Sequence, residues 1–318
     1  MDRIGVGIIG CGGMGRTHSR LLGRMAQARL VGFADPREEA AAEARAAAGS
    51  DGYLTPDAER LLADPDVQLV VIATHHHLHR PLVEAAAAAG KAILVEKPLA
   101  ITAEDCAAMV AAVRTAGVKA MVGFQLRFSP LIARLRELIS EPWMIVAQLI
   151  DPRWGDRAWA NDPVAGGGNV LSQGCHLFDA LSWLSGSVPL TVYARGGNFH
   201  HPTLPITDGV ACTIEFANGR CASAVVSDLG KPALLGKAAY QLFAGDRTAT
   251  LSRYYESDPA IDYWAGGEIG RITLADLPED RRDYWGAHGY IDQLAAMLAW
   301  VAGGPPPAQG SLVADGAR

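Results

Sequence analysis

At 318 residues the chain is long enough for about two domains that each bury a core, and its 49% hydrophobic and 19% charged content is that of a globular rather than a disordered protein. The net charge of -6 gives no reason to expect nucleic acid as a partner. No uncharged apolar run approaches the roughly 18 residues a membrane span requires, no signal segment precedes the first strand, and five cysteines without metal-ligand spacing fit thiols in a reducing compartment, so a cytoplasmic protein with no membrane partner is expected.

The first apolar run, Ile4 to Ile9, enters Gly10-Cys11-Gly12-Gly13-Met14-Gly15, and a helix-like stretch from about Gly13 to Gly23 follows. A G-x-G-x-x-G spacing between a strand and a helix is the context of a dinucleotide site. The first glycine permits a sharp turn, the second lets backbone N–H groups approach a pyrophosphate, and the third lets helix and strand pack closely. A second strand, Arg29 to Ala34, ends in Asp35, twenty residues after Gly15, where the adenosine ribose hydroxyls need acceptors. A glycine-rich turn alone is common in α/β proteins, but the two features together specify a nicotinamide dinucleotide. Asp35 would repel a 2′-phosphate and favours NAD over NADP, whereas the neighbouring Arg37 offers a guanidinium that could accommodate one.

Arg37 to Ala48 reads as a helix, Gly52 to Leu54 as a short strand, and Pro56 or Asp57 to Ala63 as a helix. The continuous run Leu69 to Ala73 predicts a strand buried on both faces, as parallel sheets require. Its exit loop holds His75, His76, His77 and His79. With no carboxylate or thiolate to complete a ligand set, no metal is assigned; Ala73, Thr74, His75, His76 and His79 are instead expected beside the cofactor. After a helix from Pro81 to Ala89, a fifth strand, Lys91 to Val95, exits into Glu96-Lys97-Pro98, with Glu96 and Lys97 expected beside the cofactor. Lys97 then lies at the sheet edge where ligands of open α/β folds bind, and can hold a substrate oxygen. A helix from Ala103 to Ala116 and a strand from Lys119 to Phe124 complete a doubly wound parallel sheet in the order 3-2-1-4-5-6, with residues 1–123 as its domain.

Residues 124–318 are expected to form an α+β domain with a mostly antiparallel open sheet. A helix from about Pro130 to Ile139 precedes strand-like segments at Trp143–Ile150, Leu190–Arg195, Val210–Phe216, Cys221–Ser227, Ala239–Phe243 and Thr248–Ser252. A two-residue hairpin loop at Asn218-Gly219 would pair Cys221 with Phe216 and Cys212 with Val225, leaving both thiols unbonded. Gly166-Gly167-Gly168 leads into a helix from about Leu171 to Leu184. It carries His176, a natural proton acceptor when an alcohol loses a hydride, with Asp179 one turn on and able to orient it. A buried histidine beside a local carboxylate fits the same pattern. A helix from Tyr290 to Val301 is followed by an extended Gly303-Gly304-Pro305-Pro306-Pro307 linker.

Several ordered motifs resemble one family. They are Gly10 to Gly15 with Arg16-Thr17-His18, Ala34-Asp35-Pro36, Leu62 to Val67, Ala88 to Lys91 with Glu96-Lys97-Pro98-Leu99, Val122 to Pro130, and Gly166-Gly167-Gly168 through His176 and Asp179. Together they are similar to the glucose-fructose oxidoreductase, inositol dehydrogenase and MocA (Gfo/Idh/MocA) family. The resemblance implies an NAD(P)-dependent oxidoreductase acting on a sugar, a cyclitol or a derivative, with a Rossmann domain and a second domain whose open sheet face forms a homo-oligomer, dimer or tetramer. It implies that Lys97 contacts nicotinamide and substrate hydroxyl, that His176 is the acid/base, that Gln125 lies near the nicotinamide ribose, and that Arg127 lines the substrate side. Trp154, flanked by Arg153 and followed by Trp159, offers aromatic faces that suit a sugar ring, or the core. Two departures stand out: Ser172 replaces a family Asp one turn before the histidine, and His75-His76 replaces Pro-Asn after the fourth strand. Ser172 leaves open a redox-neutral, NAD-dependent lyase or glycosidase, and a non-catalytic dinucleotide sensor is the third reading.

Overall fold

The computed structural model describes residues 3–231 and 234–317. It divides into two compact units, one built from the chain up to Phe124 together with the chain from Gln293 onward, the other from Gln125–Asp292. Among the described residues no helix is long and apolar enough to cross a membrane.

In the first unit, β1 (Ile4–Ile9), β2 (Ala28–Ala34), β3 (Tyr53–Thr55), β4 (Leu69–Ile72), β5 (Ala92–Val95) and β6 (Ala120–Val122) form one parallel sheet, ordered β3-β2-β1-β4-β5-β6 as expected. Every residue of β1, β4 and β5 is buried, because the crossover helices α1 (Gly13–Leu22), α2 (Glu38–Ala48), α3 (Ala58–Ala63), α4 (His79–Ala88) and α5 (Ala103–Ala116) cover the sheet. Ala40, Ala41, Ala44 and Ala48 make the buried stripe of α2, small enough for close packing. Strand order reverses between β1 and β4, the point at which folds of this kind open a crevice at the carboxyl ends of the strands.

The domain boundary needs one correction. The stretch from Gln293, within α9 (Tyr290–Val301), was expected in the second domain, but it packs on β6 of the first unit. Gln293 Nε2 donates to the Val122 carbonyl at 3.1 Å, Lys119 Nζ to the Trp300 carbonyl at 2.6 Å, and Val122 N to the Ser311 carbonyl at 2.8 Å. Leu312 bridges Met121, and α10 (Val313–Gly316) follows. β6 is an edge strand with unpaired backbone groups, and the segment beyond the prolines satisfies them.

The second unit is built on an eight-stranded sheet. Its strands are β7 (Met144–Ile150), β8 (Pro189–Gly197), β9 (Gly209–Phe216), β10 (Cys221–Ser227), β11 (Ala238–Ala244), β12 (Arg247–Ser252), β13 (Ala260–Ala265) and β14 (Glu268–Thr273), ordered β14-β13-β12-β11-β7-β10-β9-β8. Pairing is antiparallel except between β7 and β10. α6 (Pro130–Leu138) and α7 (Asn169–Ser185) bury Leu131, Leu135, Leu177 and Leu181 in one core with Ile145, Leu149, Ala224 and Val226 of the sheet. Met144, Val146 and Val225 alternate with these on the opposite, exposed face.

β13 and β14 escape the sequence reading because Asp262 and Gly270 interrupt their alternation. The hairpin after β9 differs by one residue from the expected register. Phe216 N donates to the Arg220 carbonyl at 2.9 Å, so the loop is Ala217-Asn218-Gly219, with Gly219 in the left-handed region at φ 77°. Cys221 then faces Glu215 and Cys212 faces Ala224, and none of the five cysteines, all among the described residues, is in a disulfide.

Candidate active site

The glycine loop is shaped by two close approaches and an opening. Gly10 turns at φ 84°, and a Cβ there would lie 2.6 Å from the Ala73 carbonyl oxygen; one on Gly15 would lie 1.9 Å from that of Gly10. A Cβ on Gly12 or Gly13 would meet nothing within 4 Å. The helix cap Gly12 brings no side-chain acceptor to the first turn of α1, which also holds no acidic residue. The first-turn N–H groups, including those of Met14 and Gly15, and the positive end of the helix dipole therefore suit an anion such as a pyrophosphate.

Asp35, buried at the end of β2, accepts a hydrogen bond from Cys11 N at 2.9 Å through Oδ2 and one from Arg37 N at 2.9 Å through Oδ1. Each oxygen keeps a further lone pair, so the carboxylate can accept from a ribose diol while it braces the glycine loop. Arg37 Nε stands 3.5 Å from Asp35 Oδ1 with its side chain exposed. Burial, reinforced by Asp35, pushes the Cys11 thiol up to about 12, so it stays neutral beside the carboxylate. Glycine loop, Asp35 and Arg37 are thus brought together as expected, and they fit NAD.

The β4 exit loop is divided in role. Ala73 and Thr74 lie against Gly10. His75 caps a single helical turn, 76–78, and burial, then the neighbouring His77 and Arg37, hold its imidazole below the usual range against the pull of Asp35. His76 is buried, its ring tilted 57° against that of His79 at 5.8 Å between centroids. His79, expected to line the cofactor, is completely buried: Nδ1 lies 3.0 Å from the Pro98 carbonyl oxygen and 3.2 Å from that of Leu99, and Nε2 3.3 Å from that of Thr74. It ties the exit loop of β4 to the turn after β5. Burial outweighs the carbonyls and keeps its pKa low.

Glu96, expected beside the cofactor, is engaged within the protein. It is buried, with Oε1 2.7 Å from His18 Nε2 and Oε2 accepting from Lys97 N at 3.2 Å. Burial pushes its carboxyl up, but the His18 hydrogen bond and the charges of His18 and Lys97 prevail and hold it below the usual range. The reading of the sequence gave His18 no role; its position three residues past Gly15, on the inner face of α1, was the available signal. Lys97 is half-buried at the end of β5, and the Lys97–Pro98 bond is cis.

In the second unit Gln125 begins a single turn, 125–128, where its Nε2 is buried and has no hydrogen-bond partner among the described residues. A buried amide donor of this kind is costly unless a polar ligand meets it. Arg127, expected to line the substrate side, braces Asp179 with a side chain 10% exposed. Its Nε lies 3.1 and 3.0 Å from Asp179 Oδ1 and Oδ2, its second nitrogen 2.6 Å from Oδ1, and its guanidinium packs 5.3 Å from the Trp183 ring. Asp179, expected to orient His176, gives both carboxylate oxygens to this fork.

His176 and Ser172 lie one turn apart on α7, each only 4% exposed. Asn169 and Gln173 share that face by helical spacing. They reach a network the sequence did not suggest: Asn169 Nδ2 donates to Asp151 Oδ2 at 3.0 Å, Lys237 Nζ pairs with Asp151 Oδ1 at 2.8 Å and donates to Gln173 Oε1 at 3.0 Å. Trp154 is half-buried, its backbone N–H held by Asp228 Oδ2 at 3.0 Å.

Two family descriptions match this chain: an oxidoreductase family with an NAD-binding Rossmann fold over residues 4–124, and the Gfo/Idh/MocA C-terminal domain over residues 133–234. The chain belongs to the Gfo/Idh/MocA family. This family member is 30% identical over 266 residues to levoglucosan dehydrogenase of Pseudarthrobacter phenanthrenivorans, covering 70% of this chain and 67% of the relative. It is 32% identical over 233 residues to inositol 2-dehydrogenase of Rhizobium meliloti, with the same two coverages, 70% and 67%. Among solved structures, levoglucosan dehydrogenase in complex with NADH superposes with a TM-score of 0.84 at 25% identity, over 99% of this chain and 94% of that one. The aldose-aldose oxidoreductase of Caulobacter crescentus shares the fold with a TM-score of 0.84 at 23% identity, over 99% and 93% of the two chains. The Gfo/Idh/MocA chain described here is thus an oxidoreductase whose first unit is an NAD-binding Rossmann domain.

Proposed function

We propose that the protein oxidises one ring hydroxyl of a sugar, a cyclitol or a derivative, or reduces the corresponding ketone. The observation that carries the reading is the glycine cradle with Asp35 at its edge, which suits NAD, on a chain whose relatives include dehydrogenases named for levoglucosan and inositol. NAD, when bound, supplies the hydride acceptor. Lys97 donates a hydrogen bond to the substrate oxygen and favours the charge that builds there as its proton leaves. His176 takes that proton. Ser172, a turn away, can donate and accept hydrogen bonds but cannot carry the charge of the family's Asp, so His176 acts with Lys97 or the substrate itself, and the proton it has taken passes to solvent before the next turnover. Ser172 and the half-buried Trp154 complete the contacts to the ring.

The exposed, partly apolar sheet face carrying Met144, Val146 and Val225 supports a homo-oligomer, and the five cysteines outside any disulfide suit a reducing cytoplasm. The activity is tested by supplying purified protein with NAD and, separately, NADP across free sugars, inositols, sugar acids and glycosides, following NADH and leaving-group release together. NADH appearing with a polyol is the expected result. Glycoside cleavage without net NADH would replace the dehydrogenase with the redox-neutral glycosidase or lyase reading.

A further inference from the structure

A cluster of buried ionisable groups in the second unit takes no part in the chemistry assigned above. His201 lies in the loop after β8, Asp208 immediately before β9 and Asp228 immediately after β10, and all three are completely buried. One ligand-capable atom from each lies within 4.8 Å of the others.

We propose that His201, Asp208 and Asp228 bind a divalent transition-metal ion, zinc or manganese, that fixes the loop carrying Trp154. The arrangement is built rather than incidental. Asp208 is held in place by the backbone: Phe199 N donates to both of its oxygens at 2.9 Å, and His200 N and His201 N donate to Oδ2 at 2.6 and 3.2 Å. Asp228 Oδ2 takes the Trp154 N–H at 3.0 Å and faces His201 Nε2 at 2.9 Å. Asp228 Oδ1 is buried with no hydrogen-bond partner among the described residues. A carboxylate oxygen taken out of water and left unmatched is costly, and a cation is what it lacks.

The imidazole is oriented as a ligand would be. His201 Nδ1 lies 2.7 Å from Asp156 Oδ1, so that carboxylate can hold the Nδ1 proton and turn Nε2 toward Asp228. One imidazole and two carboxylates are a donor set of mixed nitrogen and oxygen, which suits zinc or manganese better than calcium or magnesium. Two buried carboxylates close to one imidazole leave net negative charge inside the protein, and a divalent ion neutralises it. Any proton on Nε2 leaves to solvent as the metal–nitrogen bond forms, and no electron is transferred. The ligands come from three separate stretches with no regular spacing, which is why the sequence shows no motif. The inference does not depend on the dehydrogenase reading.

The test uses protein without a histidine tag, purified without chelator and analysed for metal by mass spectrometry. About one zinc or manganese ion per chain is expected, with a melting midpoint that falls by several degrees after chelation and recovers when Zn²⁺ or Mn²⁺ is returned. Asp228→Asn, checked for folding by circular dichroism, is expected to lose the metal, while His77→Ala, in the other histidine-rich loop, keeps it. Should Asp228→Asn fail to fold, the chelation and recovery of the wild-type protein decide alone. The proposal is overturned by metal-free protein whose midpoint ignores chelator and added Zn²⁺, Mn²⁺, Mg²⁺ and Ca²⁺, or by metal that follows His77 rather than Asp228.

Discussion

Removing the Lys97 ammonium by Lys97→Ala is expected to abolish turnover while leaving NAD affinity within a few-fold, read by steady-state kinetics beside a direct binding titration. Wild-type turnover in that variant would remove Lys97 from the chemistry. His176→Ala is expected to lose roughly 10²–10⁴ in rate, the scale of a general base, with its limb of the pH–rate profile. Breaking the fork between Arg127 and Asp179 acts on stability instead: Asp179→Ala removes the carboxylate from an ion pair whose side chains are only 10% and 5% exposed and is expected to cost about 3–5 kcal/mol in urea unfolding, whereas an exposed pair would cost under about 1. At this scale the sequence disclosed what short spacing determines, the glycine loop and Asp35 above all. It could not disclose pairs joined only by folding, such as His18 with Glu96, 78 residues apart, or Arg127 with Asp179, 52 apart. For that reason the protein partners of Glu96, His79 and Arg127 could not be read from the sequence.

Between elements, the α1 and β1 junction separates a packing glycine from a binding one. Gly15→Ala forces a methyl against the Gly10 carbonyl and is expected to destabilise by about 1–3 kcal/mol while also weakening NAD. Gly12→Ala meets open space, so the melting midpoint should hold while NAD affinity falls as the methyl enters the cradle. Equal effects of the two substitutions on stability would contradict this division. His79, linking the β4 exit loop to the turn after β5, carries a pH dependence of definite sign. Its folded pKa lies below the unfolded value of about 6.5, so the unfolded chain binds the extra proton: stability is full above that pH and declines on acidification toward the folded pKa. His79→Gln should therefore flatten the fall in melting midpoint between about pH 6.5 and 5, incompletely because His288 is shifted in the same direction. An unchanged slope would show that His79 does not titrate with unfolding. The parallel strands were legible because burial on both faces writes them as continuous apolar runs, whereas β13 and β14, near the sheet's edge, carry Asp262 and Gly270 that a one-sided strand tolerates.

For the whole molecule, a chain shortened after Gly304 is expected to lose stability and NAD binding together, because it lacks the Ser311 carbonyl that receives Val122 N and the buried Val313. Full NAD affinity in that truncation would show that the edge of β6 needs no partner. Two domains were readable from the change in pattern after Phe124, but the return of the chain was not, since a proline-rich stretch looks the same whether it leads away from a domain or back to one. That return has a bearing on biosynthesis. On the ribosome, the six strands β1 to β6 are made early, yet the residues that finish the NAD-binding unit follow the entire second unit, so the nascent cofactor fold waits with one border open until Gln293 and its successors emerge.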